Sequence, residues 1–185
     1  MTSNNLNNEI YNALKVLKKG GVILYPTDTV WGIGCDATNS KAIKKIYEIK
    51  KRKDSKALIS LVANEDQLKN YTDYKIKLEL HKKPTTIIYP YVKNLAKDLL
   101  AEDKSAAIRV VKDLFCKKLI LNFSKAIVST SANLSGEKHP EKFLDINQTI
   151  LKSVDYIVNL RKTEIMTTPS DILKIMKNGS QIKLR

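Results

Sequence analysis

The chain has 185 residues, with 33 Lys plus Arg against 19 Asp plus Glu and a formal charge of +14 at pH 7. With 43% hydrophobic and 28% charged residues, it has the make-up of a globular protein, which excludes disordered, collagen-like and disulfide-scaffold classes. The length leads us to expect one domain over residues 1–185.

The longest apolar runs, such as Val22 to Tyr25, are strand-sized and far short of the roughly 18 residues that cross a bilayer. Met1 to Glu9 is polar and Asn-rich, unlike a signal peptide. Cys35 and Cys116 lie far apart and form no metal-type spacing, so they read as free thiols of a reducing compartment. A cytoplasmic protein without membrane contact is therefore expected. Only Arg52, Arg109, Arg161 and Arg185 are arginines, and the other 29 basic residues are lysines. That bias fits an AT-rich genome as well as attraction to a polyanion such as RNA.

Helical and strand patterns alternate along the chain, which predicts an α/β architecture. Leu6, Ile10, Ala13, Leu14 and Leu17 predict an amphipathic helix stopping at Gly20–Gly21. Val22 to Tyr25 is a buried strand ended by Pro26. Ser40 is the expected N-cap of a helix carrying Ala42, Ile43, Ile46 and Tyr47 on one face. Ala57 to Val62 is a strand, and Asn64 with Gln67 resembles a capping box. Thr85 to Tyr89 and Ala106 to Val111 are strands, Asp113 to Phe123 a helix, and Ala126 to Thr130 a strand that runs into the loop Ser131 to His139. A helix over Phe143 to Ser153, a strand at Tyr156 to Leu160, and a hairpin over Asp171 to Leu184 turning at Asn178–Gly179 complete the chain.

Polar signals gather where strands end, the usual place for ligands in open α/β sheets. Pro26-Thr27-Asp28-Thr29 with Gly32-Ile33-Gly34 offers hydroxyls and close backbone approach, or simply a capped turn. Lys50-Lys51-Arg52-Lys53 with Lys56 suits a triphosphate, or complements a helix C-terminus. Ser129 to Gly136 is dense in hydroxyls and an amide, which serve either a ligand or a turn. Arg109, within a strand that otherwise reads as buried, calls for a partner, either a structural carboxylate or that of a substrate. There is no P-loop, no nucleophile elbow and no zinc cluster, and His81 and His139 have no helical i, i+4 partner.

In this order the segments resemble the YrdC/TsaC-type threonylcarbamoyl-AMP synthases. The resemblance rests on Pro26 to Ala37, Ile49-Lys50-Lys51-Arg52, Lys56-Ala57-Leu58, Ala107-Ile108-Arg109-Val110, Ser129 to Gly136 and Pro169-Ser170-Asp171-Ile172. It covers about Gly20 to Gly179. It implies an α/β domain with a twisted, mixed β-sheet flanked by helices around a large basic concave cleft.

It also implies a reaction. L-threonine and bicarbonate give N-carboxythreonine, whose new carboxylate attacks the α-phosphorus of ATP to form threonylcarbamoyl-AMP and pyrophosphate. The product then serves modification of the adenosine beside the tRNA anticodon. By resemblance, Lys50 and Arg52 are the catalytic cations and bind ATP together with Lys56, Ser131, Asn133 and Lys177, while Thr29, Arg109, Ser129 and Ser170 bind threonine. Mg²⁺ is expected with ATP, without a metal cage of the protein's own. A monomer that works with the proteins of a threonylcarbamoyl-transfer complex, and that can contact tRNA or double-stranded RNA, is likewise implied. The chain departs from the family pattern at Lys82-Lys83-Pro84-Thr85-Thr86, at Val111 and at Ser170-Asp171. Competing readings are a non-catalytic tRNA- or double-stranded-RNA-binding module of the same fold, and a carbamoyl-transfer domain of the hydrogenase-maturation type.

Overall fold

The computed structural model describes residues 3–51, 58–74 and 83–185. In chain order its main elements are α1 (Ser3–Lys18), β1 (Ile23–Tyr25), β2 (Gly32–Gly34), α2 (Ser40–Ile49), β3 (Ile59–Val62), α3 (Glu65–Leu68), β4 (Thr85–Tyr89), β5 (Ala106–Val110), α4 (Leu114–Phe123), β6 (Ile127–Ser131), α5 (Gln148–Ser153), β7 (Tyr156–Ile157), β8 (Asp171–Ile175) and β9 (Gln181–Lys183). Among the described residues the strands form one mixed sheet in the order β7-β1-β2-β6-β3-β5-β4-β8-β9. The pairs β1/β7, β3/β5 and β4/β8 are parallel and the other neighbours antiparallel. The expected twisted mixed sheet with flanking helices is the observed fold.

α1 ends where expected. Gly20 adopts φ +74°, and the Gly20 and Gly21 amides return to the carbonyls of Leu17 and Val16, as a left-handed glycine after a helix permits. Four expectations need correction. The N-cap of α2 is Asn39 rather than Ser40, because the Asn39 side-chain oxygen accepts from the amides of Lys41 and Ala42. The Asn64 side chain caps the Gln67 amide, but Gln67 accepts from the Ala63 amide instead of closing a box. The helix expected over Phe143 to Ser153 is split into a single 3-10 turn at Phe143–Asp145 and the short α5, since Ile146 is extended and Asn147 caps anew from Thr149. The strand expected to Leu160 is paired only at Tyr156–Ile157.

The strand β2 was not expected at all. Its glycines are needed by close packing: a Cβ on Gly34 would run into the Val128 carbonyl and the Tyr25 ring. Glycine is otherwise a weak strand former.

Two cores fill the two faces of the sheet. On one face α2 and α5 supply Ala42, Ile43, Ile46 and Ile150 against Leu24, Ile33, Ile87, Ile108 and Val128. On the other, α1 and α4 supply Ile10, Ala13, Leu17, Phe115, Leu119 and Ile120 against Ile23, Tyr25, Leu61 and Ile127. At about 25 cal/mol per Å² of apolar surface removed from water, these layers dominate the folding free energy. Glu9 ties α1 to the sheet edge by accepting from the Tyr156 hydroxyl and the Asn159 amide.

Candidate active site

The second face is covered only in part. Register places Ile59 opposite both Ala107 and Ser129, Ile88 opposite Ala107, and Thr86 opposite Ile172. Directly opposed residues share a face, so these side chains line the surface over β4, β5 and β8, beyond α1 and α4. A cavity of about 480 Å³ opens there, lined also by Thr29, Gly32, Arg109, Thr130, Ser131, His139, Ser170 and Arg185. Among the described residues the lining holds two guanidinium groups and no acidic side chain, an arrangement that favours anionic ligands.

The turn before β2 fixes the chemistry at one wall. The Thr27 hydroxyl donates to the Val30 carbonyl and accepts from the Thr29 amide. The Thr27 and Thr29 hydroxyl oxygens lie 3.0 Å apart. A hydroxyl has one hydrogen, and that of Thr27 is committed to Val30, so Thr29 is the donor in the pair. Its lone pairs remain for an N–H donor from the cavity.

Arg109 stands on β5 with its guanidinium 3% exposed and Nη2 3.0 Å from Oδ1 of Asp28, itself 7% exposed. The Asp28 Oδ2 accepts from the Lys112 amide at 3.1 Å. The Arg109 Nε is buried without a hydrogen-bond partner. Ser129 borders Gly32, where a Cβ would fall 3.0 Å from the Ser129 hydroxyl. Burial and the neighbouring Cys116 push the Tyr25 phenol up, and the Ser129 hydroxyl acts the other way. Tyr25 thus stays a neutral donor to the Val128 carbonyl at 3.1 Å.

At the far wall Ser170 and Thr86 share a hydrogen bond at 2.8 Å. The Arg185 guanidinium forks onto the Ser170 carbonyl through Nε at 3.0 Å and Nη2 at 2.9 Å. His139 meets the Thr167 carbonyl through Nε2 at 3.3 Å.

The structure thus brings Thr29, Arg109, Ser129, Ser131 and Ser170 to one cavity. Asn133 lies just outside it, with its amide nitrogen on the Leu134 and Glu137 carbonyls and its buried oxygen unpartnered. Lys50 is buried at the end of α2, where its ammonium donates to the carbonyls of Ser131 and Asn133. Lys177 sits apart, near the β8–β9 turn. It lines a different groove with Lys174 and Met176, and its ammonium lies 5.9 Å from the centre of the Tyr91 ring. Arg52, Lys56 and His81 lie outside the described residues. Thr86, His139 and Arg185 were not singled out as site residues from the sequence.

Comparison with known proteins bears on the family and the fold. The Sua5/YciO/YrdC family, described as "Telomere recombination", matches residues 15–185. The threonylcarbamoyl-AMP synthase of Psychromonas ingrahamii is 42% identical over 136 residues, covering 69% of this chain and 71% of that protein. The enzyme of the same name from Pseudoalteromonas translucida is 35% identical over 156 residues, covering 80% and 83%. Among solved structures, P. abyssi Sua5 complexed with L-threonine superposes with a TM-score of 0.79 at 22% identity, over 95% of this chain. This chain spans 53% of that longer protein. E. coli YciO superposes with a TM-score of 0.80 at 22% identity, over 95% of this chain and 87% of its own. On the strength of the family match and of these relatives, the chain belongs to the Sua5/YciO/YrdC family.

Proposed function

We propose that this chain is a threonylcarbamoyl-AMP synthase, an enzyme that joins L-threonine, bicarbonate and ATP into threonylcarbamoyl-AMP and releases pyrophosphate and water. The carrying observation is the pairing of Thr29 and Arg109 in one cavity that, among the described residues, has no acidic side chain in its lining. Thr29 offers an acceptor for an amine, and Arg109 a fork for a carboxylate. Together they fit the two ends of a free amino acid, and curated relatives bear the name of this enzyme.

The substrates bring three anionic groups together, so the main task is electrostatic. ATP, the threonine carboxylate and bicarbonate repel one another in water and need fixed cations in a shielded place. Thr29, Arg109, Ser129 and Ser170 hold threonine in this reading. ATP lies toward Ser131 and Asn133, with Lys50, Arg52, Lys56 and Lys177 as its cations from the family pattern and Arg185 as one from the geometry. Once threonine carries its new carboxylate, that group is the nucleophile. It attacks the α-phosphorus, the bond to the bridging oxygen breaks, and pyrophosphate leaves. The protein positions the reactants and stabilises developing charge, without a nucleophile of its own.

Among the described residues no group of three His, Cys, Asp or Glu could hold a metal ion. Mg²⁺ in this reading comes with the ATP phosphates. The reading extends to a cytoplasmic monomer whose product goes to a tRNA threonylcarbamoyl-transfer complex, with contact to tRNA or double-stranded RNA drawn by the net charge of +14.

The test is pyrophosphate release with ATP, Mg²⁺ and bicarbonate, with and without L-threonine, and mass detection of the adduct. Threonine-dependent release with threonylcarbamoyl-AMP present is expected. Absence of ATP binding would instead favour an RNA-binding module on this fold.

A further inference from the structure

We infer that Asp28 is a positioning residue for the threonine carboxylate, acting through Arg109; the inference rests on reading the cavity as the threonine site. Asp28 does not line the cavity, whereas Arg109 does. Arg109 and Asp28 are both buried and form an ion pair at 3.0 Å. The backbone anchors the carboxylate in turn, since the Lys112 amide donates to its other oxygen.

A buried guanidinium without a counter-charge is costly, so Asp28 is what allows Arg109 to stand in the floor of the cavity. It also sets the plane. The ion contact engages Nη2 and leaves the buried Nε without a partner. The Asp28 Oδ1 likewise has no hydrogen bond of good alignment. A second carboxylate approaching from the cavity meets a guanidinium whose plane is already fixed by the Asp28 contact, and a fixed plane is what bidentate recognition requires.

The same short turn places Thr29 in the cavity and Asp28 behind Arg109. It is pinned by the Thr27 hydroxyl, which donates to Val30 and accepts from Thr29. One turn thereby sets the distance between the acceptor for the amine and the fork for the carboxylate. Asp28 thus acts on the geometry of substrate binding as well as on the charge balance of the core.

The experiment measures threonine affinity by calorimetry, together with threonine KM, ATP KM and kcat, for the wild type, D28N, R109K and the double variant. Asp28→Asn keeps the shape and removes the charge. Threonine affinity is expected to fall by roughly tenfold or more, the scale of a lost charged hydrogen-bond geometry, while ATP KM stays close to the wild-type value. Asp28 is argued to act only through Arg109, so the double variant should lose little more than R109K alone. A simply structural role would lower the apparent kcat and the calorimetric stoichiometry through the fraction of folded protein, while threonine affinity and both KM values stayed at the wild-type level.

If D28N does not fold, D28E keeps the charge at a longer reach and should show a smaller loss of threonine affinity. An unchanged threonine affinity in D28N, equal losses toward threonine and ATP, or additive effects in the double variant would each overturn the inference. Failure of both Asp28 variants to fold would assign the residue to the core alone and overturn it as well. The functional reading fails separately: a wild type that binds threonine but makes no adduct refutes the synthase while the affinities still judge Asp28. A wild type that binds no threonine refutes both.

Discussion

The Lys50 ammonium lies 2.5 Å from the Ser131 carbonyl and 2.7 Å from that of Asn133, so the end of α2 is fastened to the loop that follows β6. The Ser135 amide donates back to the Lys50 carbonyl at 3.0 Å, closing the connection from the other side. The residue chosen from its place in a basic cluster therefore also shapes the loop proposed to hold ATP. Lys50→Met should lower stability by about 2–3 kcal/mol, the usual scale for losing hydrogen bonds to a buried charge. It should also raise ATP KM more than threonine KM. Urea unfolding and substrate kinetics on the same preparation test both parts. Full stability in the variant would show that these carbonyl contacts contribute little.

Arg185 offers a second test of where the phosphates go. Arg185→Gln keeps a donor for the Ser170 carbonyl but removes a cation from the cavity wall. ATP affinity should fall by roughly tenfold, as expected for loss of a charged contact to phosphate. Lys177→Ala, measured beside it, reports on the cation by the hairpin turn. A loss confined to the Lys177 variant would move the phosphate site to that turn.

Much of the architecture was legible because burial leaves a plain pattern. Thr85–Tyr89 appears as a strand with the expected bounds, since alternation of Thr86 and Ile88 with Ile87 and Tyr89 serves two different faces. The strand β2 was hidden because Gly-Ile-Gly has almost no strand propensity, and only the approach of Tyr25 and Val128 explains it. Thr29 and Ser129 were singled out where strands end, Arg109 as a charge within a buried strand and Ser170 from the family resemblance, and the four converge in space.

Arg185 and Thr86 were missed for different reasons. A Thr within a Thr-Thr strand start looks like ordinary strand composition, and a terminal Arg looks like a solvated charge. Arg185 had one usable signal. A hairpin turning at Asn178–Gly179 returns the chain along β8, so that Lys183 faces Leu173 and Arg185 comes back to the level of Ile172.

Gly34 gives a prediction about folding alone. Gly34→Ala places a methyl group against the Val128 carbonyl and the Tyr25 ring. Neither is the free end of a flexible chain, so the β1–β2–β6 region must shift. A loss of about 2–3 kcal/mol is expected, in the range for overpacking a filled interior. Gly136→Ala is a useful control for glycine substitution, because it has open space for a Cβ although its φ of +90° adds strain. Denaturation midpoints should fall further for Gly34→Ala, and a larger fall in the control would refute the steric account.

A pH prediction follows from Asp103. Hydrogen bonds from the Ser105 hydroxyl and amide, with Lys174 contributing, hold its carboxyl down at about 2. Aspartate in an unfolded chain titrates near ~3.9. Ionised Asp103 therefore favours the folded state, fully above about pH 4, and this contribution fades as pH falls through about 2. Asp103→Asn should be less stable than wild type at pH 6, and the gap should close toward pH 2. Thermal midpoints of both proteins across that range test it. A gap independent of pH would remove the titration from the explanation.

The walls of the cavity come from β2, β3, β4, β5, β6 and β8, together with Thr29, His139 and Arg185. The lining runs from Thr29 to Arg185 and draws on strands from both ends of the chain, so a binding-competent fragment is not to be expected. Ligand occupancy and global unfolding are thereby linked. At a threonine concentration a hundredfold above its dissociation constant, the whole sheet should gain about 2.7 kcal/mol. Amide exchange should slow together in strands as far apart in sequence as β2 and β8, so that saturation is read across the whole protein rather than in one loop.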